Sequence, residues 1–142
     1  MTCIETASLR PVTRTPESDA FWDAANAGHL LYGQCHSCDT RHYYPRALCP
    51  TCLSTEVTWP RSGGTGHLMA FSLFRRAEPP YISAWITLDE GVSLFSNLID
   101  CDSDCIKIGD RVEVVFHPAL DGQNVPLFRP AMSDPWQTGQ DN

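Results

Sequence analysis

Two Cys-x-x-Cys pairs, Cys35 with Cys38 and Cys49 with Cys52, stand ten residues apart in CHSCDTRHYYPRALCPTC (35–52). No other feature restricts the fold of this chain as strongly. Each pair puts two thiolates on one tight turn, and two such turns complete a tetrahedron around Zn2+ at Zn–S distances of about 2.3 Å. With four protein ligands the site keeps no open position for water or substrate. Zinc is therefore structural here, and its binding energy becomes folding energy for a segment too short to own a core. An iron centre of the rubredoxin kind takes the same donors, usually from pairs farther apart in sequence. His36 and His42 lie among the cysteines as alternative ligands, although four thiolates already satisfy the metal.

The remaining three of the seven cysteines do not extend this cluster. An odd count with no signal peptide argues against a secreted disulfide scaffold and for a reducing compartment. Cys3 lies near the N-terminus, and Cys101 and Cys105 belong to an acidic loop, DCDSDC, where they read as free or semi-buried thiols. At 142 residues and 42 % hydrophobic content the chain suits one compact body. No apolar run approaches the ~20 residues needed to cross a bilayer, so the expectation is a soluble, cytoplasmic protein with no membrane partner.

Charge is uneven. Ten Lys and Arg against seventeen Asp and Glu give −7. Residues 1–34 carry two basic and four acidic groups (−2), 35–76 five and two (+3), and 77–142 three and eleven (−8). A locally positive segment on an acidic protein favours a compact anion over a polyanion, or is a chance clustering on a solvated face. Arg41, Tyr43, Tyr44 and Arg46, between the cysteine pairs, offer two guanidinium groups and two aromatic rings in one loop. They can hold an adenine ring and phosphates, or the arginines can simply offset the −2 charge of a tetrathiolate zinc centre.

Thr15 as cap, Pro16 at the first position and Glu17 in the first turn predict a helix over about 16–27, with Phe21, Ala24, Ala25 and Gly28 on one stripe and Trp22 on a neighbouring face. HLLYGQ (29–34) and VTW (57–59) read as the extended lead-in and exit of the cysteine segment, with both pairs at hairpin tips. Five strands follow, at about 66–76, 81–88, 92–99, 111–116 and 125–131, separated by turn residues. In YISAWITL (81–88), Ile82, Ala84, Ile86 and Leu88 share one face, the alternation of a strand with one buried side. Five antiparallel strands in so short a span close most economically as an OB-fold barrel. The fold class is mainly β: a short N-terminal helix, a rubredoxin-like four-cysteine zinc ribbon, then a five-stranded OB-fold barrel. The divisions are an N-terminal arm (1–30), the ribbon (31–61), the barrel (62–131) and a flexible tail (132–142) in which Trp136 is the one residue suited to a contact. No catalytic constellation emerges.

The strings PPYISAWITLDEGV (79–92), IGDRVEVVF (108–116) and VPLFRPA (125–131), placed after such a ribbon, resemble the DUF35 family of zinc-ribbon OB-fold proteins. The likeness covers roughly residues 15–131 and includes the aromatic-Pro-Arg run Tyr43-Tyr44-Pro45-Arg46 and the turn Ser62-Gly63. It implies a non-catalytic companion of a thiolase-fold enzyme, a thiolase or retro-aldolase acting on acyl-CoA thioesters, in a hetero-oligomer. The small subunit would bridge enzyme subunits and help bind coenzyme A, a compact anion that suits the +3 segment. Zn2+ would be structural and the coenzyme A thioester a shared ligand. The sequence departs from the family in three respects: Tyr44 where a second Pro is common, Asp39 and Leu53 where Gly often follows each knuckle, and an extra residue in Ser62–Gly66. A single-stranded nucleic-acid module is the other reading of a ribbon beside an OB-fold, opposed by the −8 charge of the C-terminal part.

Overall fold

The computed structural model describes residues 9–44 and 46–131. Cys3, Pro45, Trp136 and the expected flexible tail lie outside the described residues. One helix, α1 (Asp19–Asn26), precedes eight strands: β1 (Gly33–Cys35), β2 (Arg41–His42), β3 (Val57–Thr58), β4 (Thr65–Phe74), β5 (Tyr81–Leu88), β6 (Ser93–Leu98), β7 (Arg111–Pro118) and β8 (Asn124–Pro130). The first three form a small sheet in the order β2-β1-β3, and the other five a closed barrel in the order β4-β5-β6-β8-β7. The protein is thus mainly β, a four-cysteine ribbon joined to an OB-fold barrel.

The helix is shorter than the cap signals predict. Its N-cap is Ser18, not Thr15, and residues 15–18 form a turn instead. The reason is local: the Ser18 hydroxyl accepts the Thr15 amide (2.9 Å) and donates to the Thr15 carbonyl (3.1 Å), so it closes the preceding turn rather than capping. Arg14 then reaches forward to the first helical turns, its Nε donating to Asp19 Oδ1 at 3.0 Å. At the far end Gly28 takes φ +84°, the left-handed position that ends a helix.

The helix docks on its own chain. Phe21 and Ala25 are buried, as the stripe implies, and so is Trp22, which the periodicity had set aside. Two surfaces explain this. The Gln123 amide, just before β8, donates to the Trp22 carbonyl (3.1 Å) and to Asn26 (3.0 Å), while the ribbon loop covers the other side, with Tyr43 and Tyr44 at 5.6 and 5.5 Å from the Phe21 ring.

In the barrel the alternation holds: Ile82, Ala84, Ile86 and Leu88 are all buried, and Trp85 on the opposite face is 44 % exposed. Two departures matter for the site. A bulge between Leu68 and Ala70 adds Met69 to β4, so Met69 and Ala70 both face outward. Gly64 and Gly66 lie where a Cβ would strike Val114 Cγ1 (2.6 Å) and the Thr87 carbonyl (2.3 Å), so SGGTG is a close-packed turn into β4.

At the mouth of the barrel Asp89 receives both Arg111 guanidinium nitrogens, at 2.8 and 2.9 Å, and the Thr65 hydroxyl at 2.7 Å. Arg111, then Thr65, hold the Asp89 carboxyl well below the usual carboxylate range. A depressed carboxylate stabilises the fold fully above its ordinary pKa of about 4 and loses that contribution as acid protonates it in the folded state. The pair is about half exposed, so solvent screening limits it to roughly 0.5–1 kcal/mol. Urea titrations at pH 7 should show Asp89→Asn less stable by that amount, with the gap to the wild type narrowing as pH falls below 4. A gap that persisted undiminished in acid would contradict the ion pair.

Candidate functional site

The ribbon sheet contains three short strands and almost no core of its own. The first knuckle lies between β1 and β2, and the second in the 49–54 loop that leads to β3, which pairs with the other edge of β1. This brings Cys35, Cys38, Cys49 and Cys52 together, with all four sulfurs within 4.8 Å of one another. Cys35 to Cys52 and Cys38 to Cys49 are each 3.6 Å, and the amides of Ser37 and Thr51 point at Cys35 Sγ and Cys49 Sγ from 3.4 Å. Cys35 and Cys49 are fully buried, while Cys38 and Cys52 reach the surface.

The surroundings tune three of the thiols apart. The Thr40 hydroxyl and amide pull the Cys38 thiol down to about 6, and the amides of Cys52 and Thr51 draw Cys49 down as well. At Cys52 the Ser54 amide lowers the thiol, but burial and the three neighbouring sulfurs outweigh it and push it up to about 12. Four thiolates this close repel one another, and a divalent soft-to-borderline cation is the species that stabilises all of them at once. The donor set, the spacing and the amide bonds to sulfur fit Zn2+.

Asp39 and Leu53, directly after the two knuckles, take φ +64° and +63°. These are the positions where the resemblance to DUF35 proteins leads one to expect Gly, and left-handed backbone gives the reason. Asp39 is partly compensated, since the Gln34 amide donates to its carboxylate at 3.0 Å. Leu53 is 70 % exposed and has no such bond among the described residues. Leu53→Gly should therefore raise the stability of the zinc-loaded protein by about 0.5–1 kcal/mol in thermal unfolding, with a smaller gain at Asp39. A destabilised Leu53→Gly protein would contradict the strain assigned to this knuckle.

The loop between the knuckles is less open than its sequence implies. Arg41 donates through Nε to Gln34 (2.8 Å) and through a terminal nitrogen to the Glu90 carbonyl (2.7 Å), tying the ribbon to the barrel. Glu90 completes the clasp: its carboxylate accepts the Ser62 hydroxyl (2.8 Å) and the Gly63 amide (2.9 Å). The turns Ser62-Gly63 and Leu88–Gly91 are thus two halves of one joint, a role that their turn-forming composition did not disclose. Tyr43 packs against the core and burial drives its phenol far up, while Tyr44 is 39 % exposed and its hydroxyl accepts the Trp22 indole N–H at 3.0 Å. Arg46 is exposed, with no ion pair among the described residues.

Between helix, loop and barrel lies a groove of about 340 Å³, lined by Leu9, Trp22, Tyr43, Tyr44, Phe95 and Asn97 and floored by Val125 to Leu127. Sequence reasoning found the two tyrosines. The other walls escaped it, because they come from segments far apart in the chain.

A model of the ChsH2 rubredoxin-like zinc ribbon domain matches residues 22–58, and one of the ChsH2 C-terminal OB-fold domain matches residues 59–117. A DUF35 domain-containing scaffold protein of Methanothermobacter thermautotrophicus is 30 % identical over 95 residues, which are 62 % of this chain and 71 % of that one. The chain belongs to the DUF35 family. Among solved structures, this DUF35 chain superposes on a chain of the Ltp2-ChsH2(DUF35) aldolase with TM-score 0.74 and 29 % identity, covering 87 % of this chain and 100 % of the other. A probable enoyl-CoA hydratase alpha subunit of Thermomonospora curvata is 31 % identical over 131 residues, 88 % of this chain. The chain spans 41 % of that relative's length. A DUF35 protein from Sulfolobus solfataricus, 10 % identical with TM-score 0.61 over 81 % of this chain and 85 % of that one, shares the fold. Among the described residues no helix is long and apolar enough to cross a membrane.

Proposed function

We propose that this chain is the non-catalytic, zinc-bearing subunit of a thiolase-fold enzyme that acts on acyl-CoA thioesters in the cytoplasm. The observation that carries the reading is its likeness, over the whole length of the matched chain, to the DUF35 component of an aldolase. The enoyl-CoA hydratase subunit supports the acyl-CoA part of this reading, and the scaffold-protein names support the accessory part. Cys35, Cys38, Cys49 and Cys52 hold Zn2+, which folds the ribbon and does no chemistry. The ribbon in turn carries Tyr44 to Trp22 and Arg41 to Glu90, so the metal fixes the groove wall. Bond making and breaking belong to the partner subunit.

For coenzyme A, the geometry favours some of the loop residues over others. Arg41 is committed to the joint and Tyr43 to the core, which leaves Arg46 for a phosphate and Tyr44 for the face of an adenine ring. The test is acyl-CoA turnover by a thiolase-fold protein that co-purifies with this chain, with and without it. The expected result is loss of most activity on omission and a raised KM for the thioester with Arg46→Ala; equal kcat/KM in all three cases would contradict the proposal.

A single-stranded nucleic-acid module remains the second reading, favoured by one observation. Trp85 and Phe95, opposite each other on β5 and β6, expose aromatic faces where OB-folds stack bases. Fluorescence anisotropy with labelled oligonucleotides at physiological salt should show no binding.

A further inference from the structure

The outer face of β4, β5 and β6 differs from the rest of the surface. Not one Asp, Glu, Lys or Arg occurs in these three strands, in a chain that is 19 % charged. Their outward side carries His67, Met69 and Phe74 on β4, Trp85 and Thr87 on β5 and Phe95 on β6, with Ser83 buried among them. Trp85 pairs directly with Ala70 on one side and Phe95 on the other, and the two aromatic rings are 6.0 Å apart. Met69, Trp85 and Phe95 are 44, 44 and 62 % exposed. The bulge sets Ala70 outward beside Met69, which widens the apolar strip here. The neighbouring surfaces are unlike this one: β7 and β8 carry the Glu113–Arg129 pair, and α1 packs against β8.

Depletion of charge together with exposed Trp, Phe and Met marks the centre of a protein interface. We infer that this face is the docking surface for the thiolase-fold partner, and that the partner presents to it an uncharged, apolar patch surrounded by neutral or basic surface. Electrostatics select that occupant. A polyanion finds no cation on the three strands, and a second copy would bring two bodies of −7 together. A neutral or basic partner meets neither penalty. The face also runs through Phe95 to the rim of the 340 Å³ groove. The inference rests on the proposed subunit role.

The experiment is titration of the zinc-loaded chain into its thiolase-fold partner by calorimetry, with Phe95→Glu, Trp85→Glu and, on β7 outside the face, His117→Glu. Zinc content and melting temperature establish that each variant is folded. At least tenfold weaker binding for the first two and wild-type affinity for the third supports the proposal. Wild-type binding by all three overturns the docking face while leaving the subunit role intact, whereas no binding by the wild-type chain overturns the subunit role itself. Self-association of the wild type that Phe95→Glu abolishes, with partner binding unchanged, assigns the face to a second copy and overturns the proposal. Oligonucleotide binding lost in Phe95→Glu overturns it in favour of nucleic acid. If the aromatic variants do not fold, hydroxyl-radical footprinting of the wild-type pair decides: Met69 and Trp85 become shielded on mixing, and unchanged oxidation of both contradicts the assignment.

Discussion

Replacing Cys49 by Ser should abolish stoichiometric zinc binding and unfold residues 33–58 while the barrel keeps its strand signal. Cys49 is fully buried beside Cys38, and its carbonyl and amide hold the second knuckle through Leu53 (2.9 Å) and Ser54 (2.9 Å). The ribbon's strands are only three, two and two residues long, so its conformational entropy is not offset by a core. Zinc binding of about 10–16 kcal/mol in comparable small sites is what closes the gap. Metal analysis with hydrogen exchange checks this: zinc near zero per chain, the amides of Cys35, His36 and Val57 exchanging freely, and those of β5 protected. Loss of the ribbon also removes Tyr44 from Trp22, so tryptophan fluorescence should shift to the red. One zinc per chain in Cys49→Ser protein would refute the ligand assignment.

Phe21→Ala should cost about 3–5 kcal/mol and lower the melting temperature by roughly 10 °C or more. Phe21 is 2 % exposed and sits where all three parts of the fold meet, with the rings of Trp22, Tyr43 and Tyr44 at 4.9, 5.6 and 5.5 Å. Truncation leaves a cavity that neither the barrel nor the zinc-fixed loop can move to fill. Against a total stability of about 5–15 kcal/mol for a domain, the loss is large. Chemical denaturation of zinc-loaded wild-type and variant proteins measures it, and a difference under about 1 kcal/mol would show that the helix is not a structural joint.

The parts legible in the sequence were those governed by a period or a fixed spacing. YISAWITL alternates because one side faces the barrel interior, and β5 occupies those eight residues. Two knuckles ten residues apart have one economical arrangement. What stayed hidden depends on tertiary partners. The helix start moved because Ser18 bonds to Thr15. Tyr43 and Tyr44 read as equivalent loop residues, since a loop has no periodicity to say which turns inward. Ala70, exposed directly after Met69, broke the alternation of β4 through a bulge that no local signal marks. Glu90, a turn residue in sequence, joins ribbon to barrel only because Arg41, Ser62 and Gly63 arrive beside it. The family departures at Asp39 and Leu53 were visible, and the left-handed backbone supplies their physical meaning.

The central claim is that this chain works as one part of an acyl-CoA enzyme assembled with a thiolase-fold subunit. Sedimentation velocity of the zinc-loaded chain mixed with that subunit tests it most directly. One faster species containing both proteins at fixed stoichiometry is expected, and it dissociates when zinc is removed by chelation. Two boundaries that sediment as the separate proteins do, at every ratio, would contradict it.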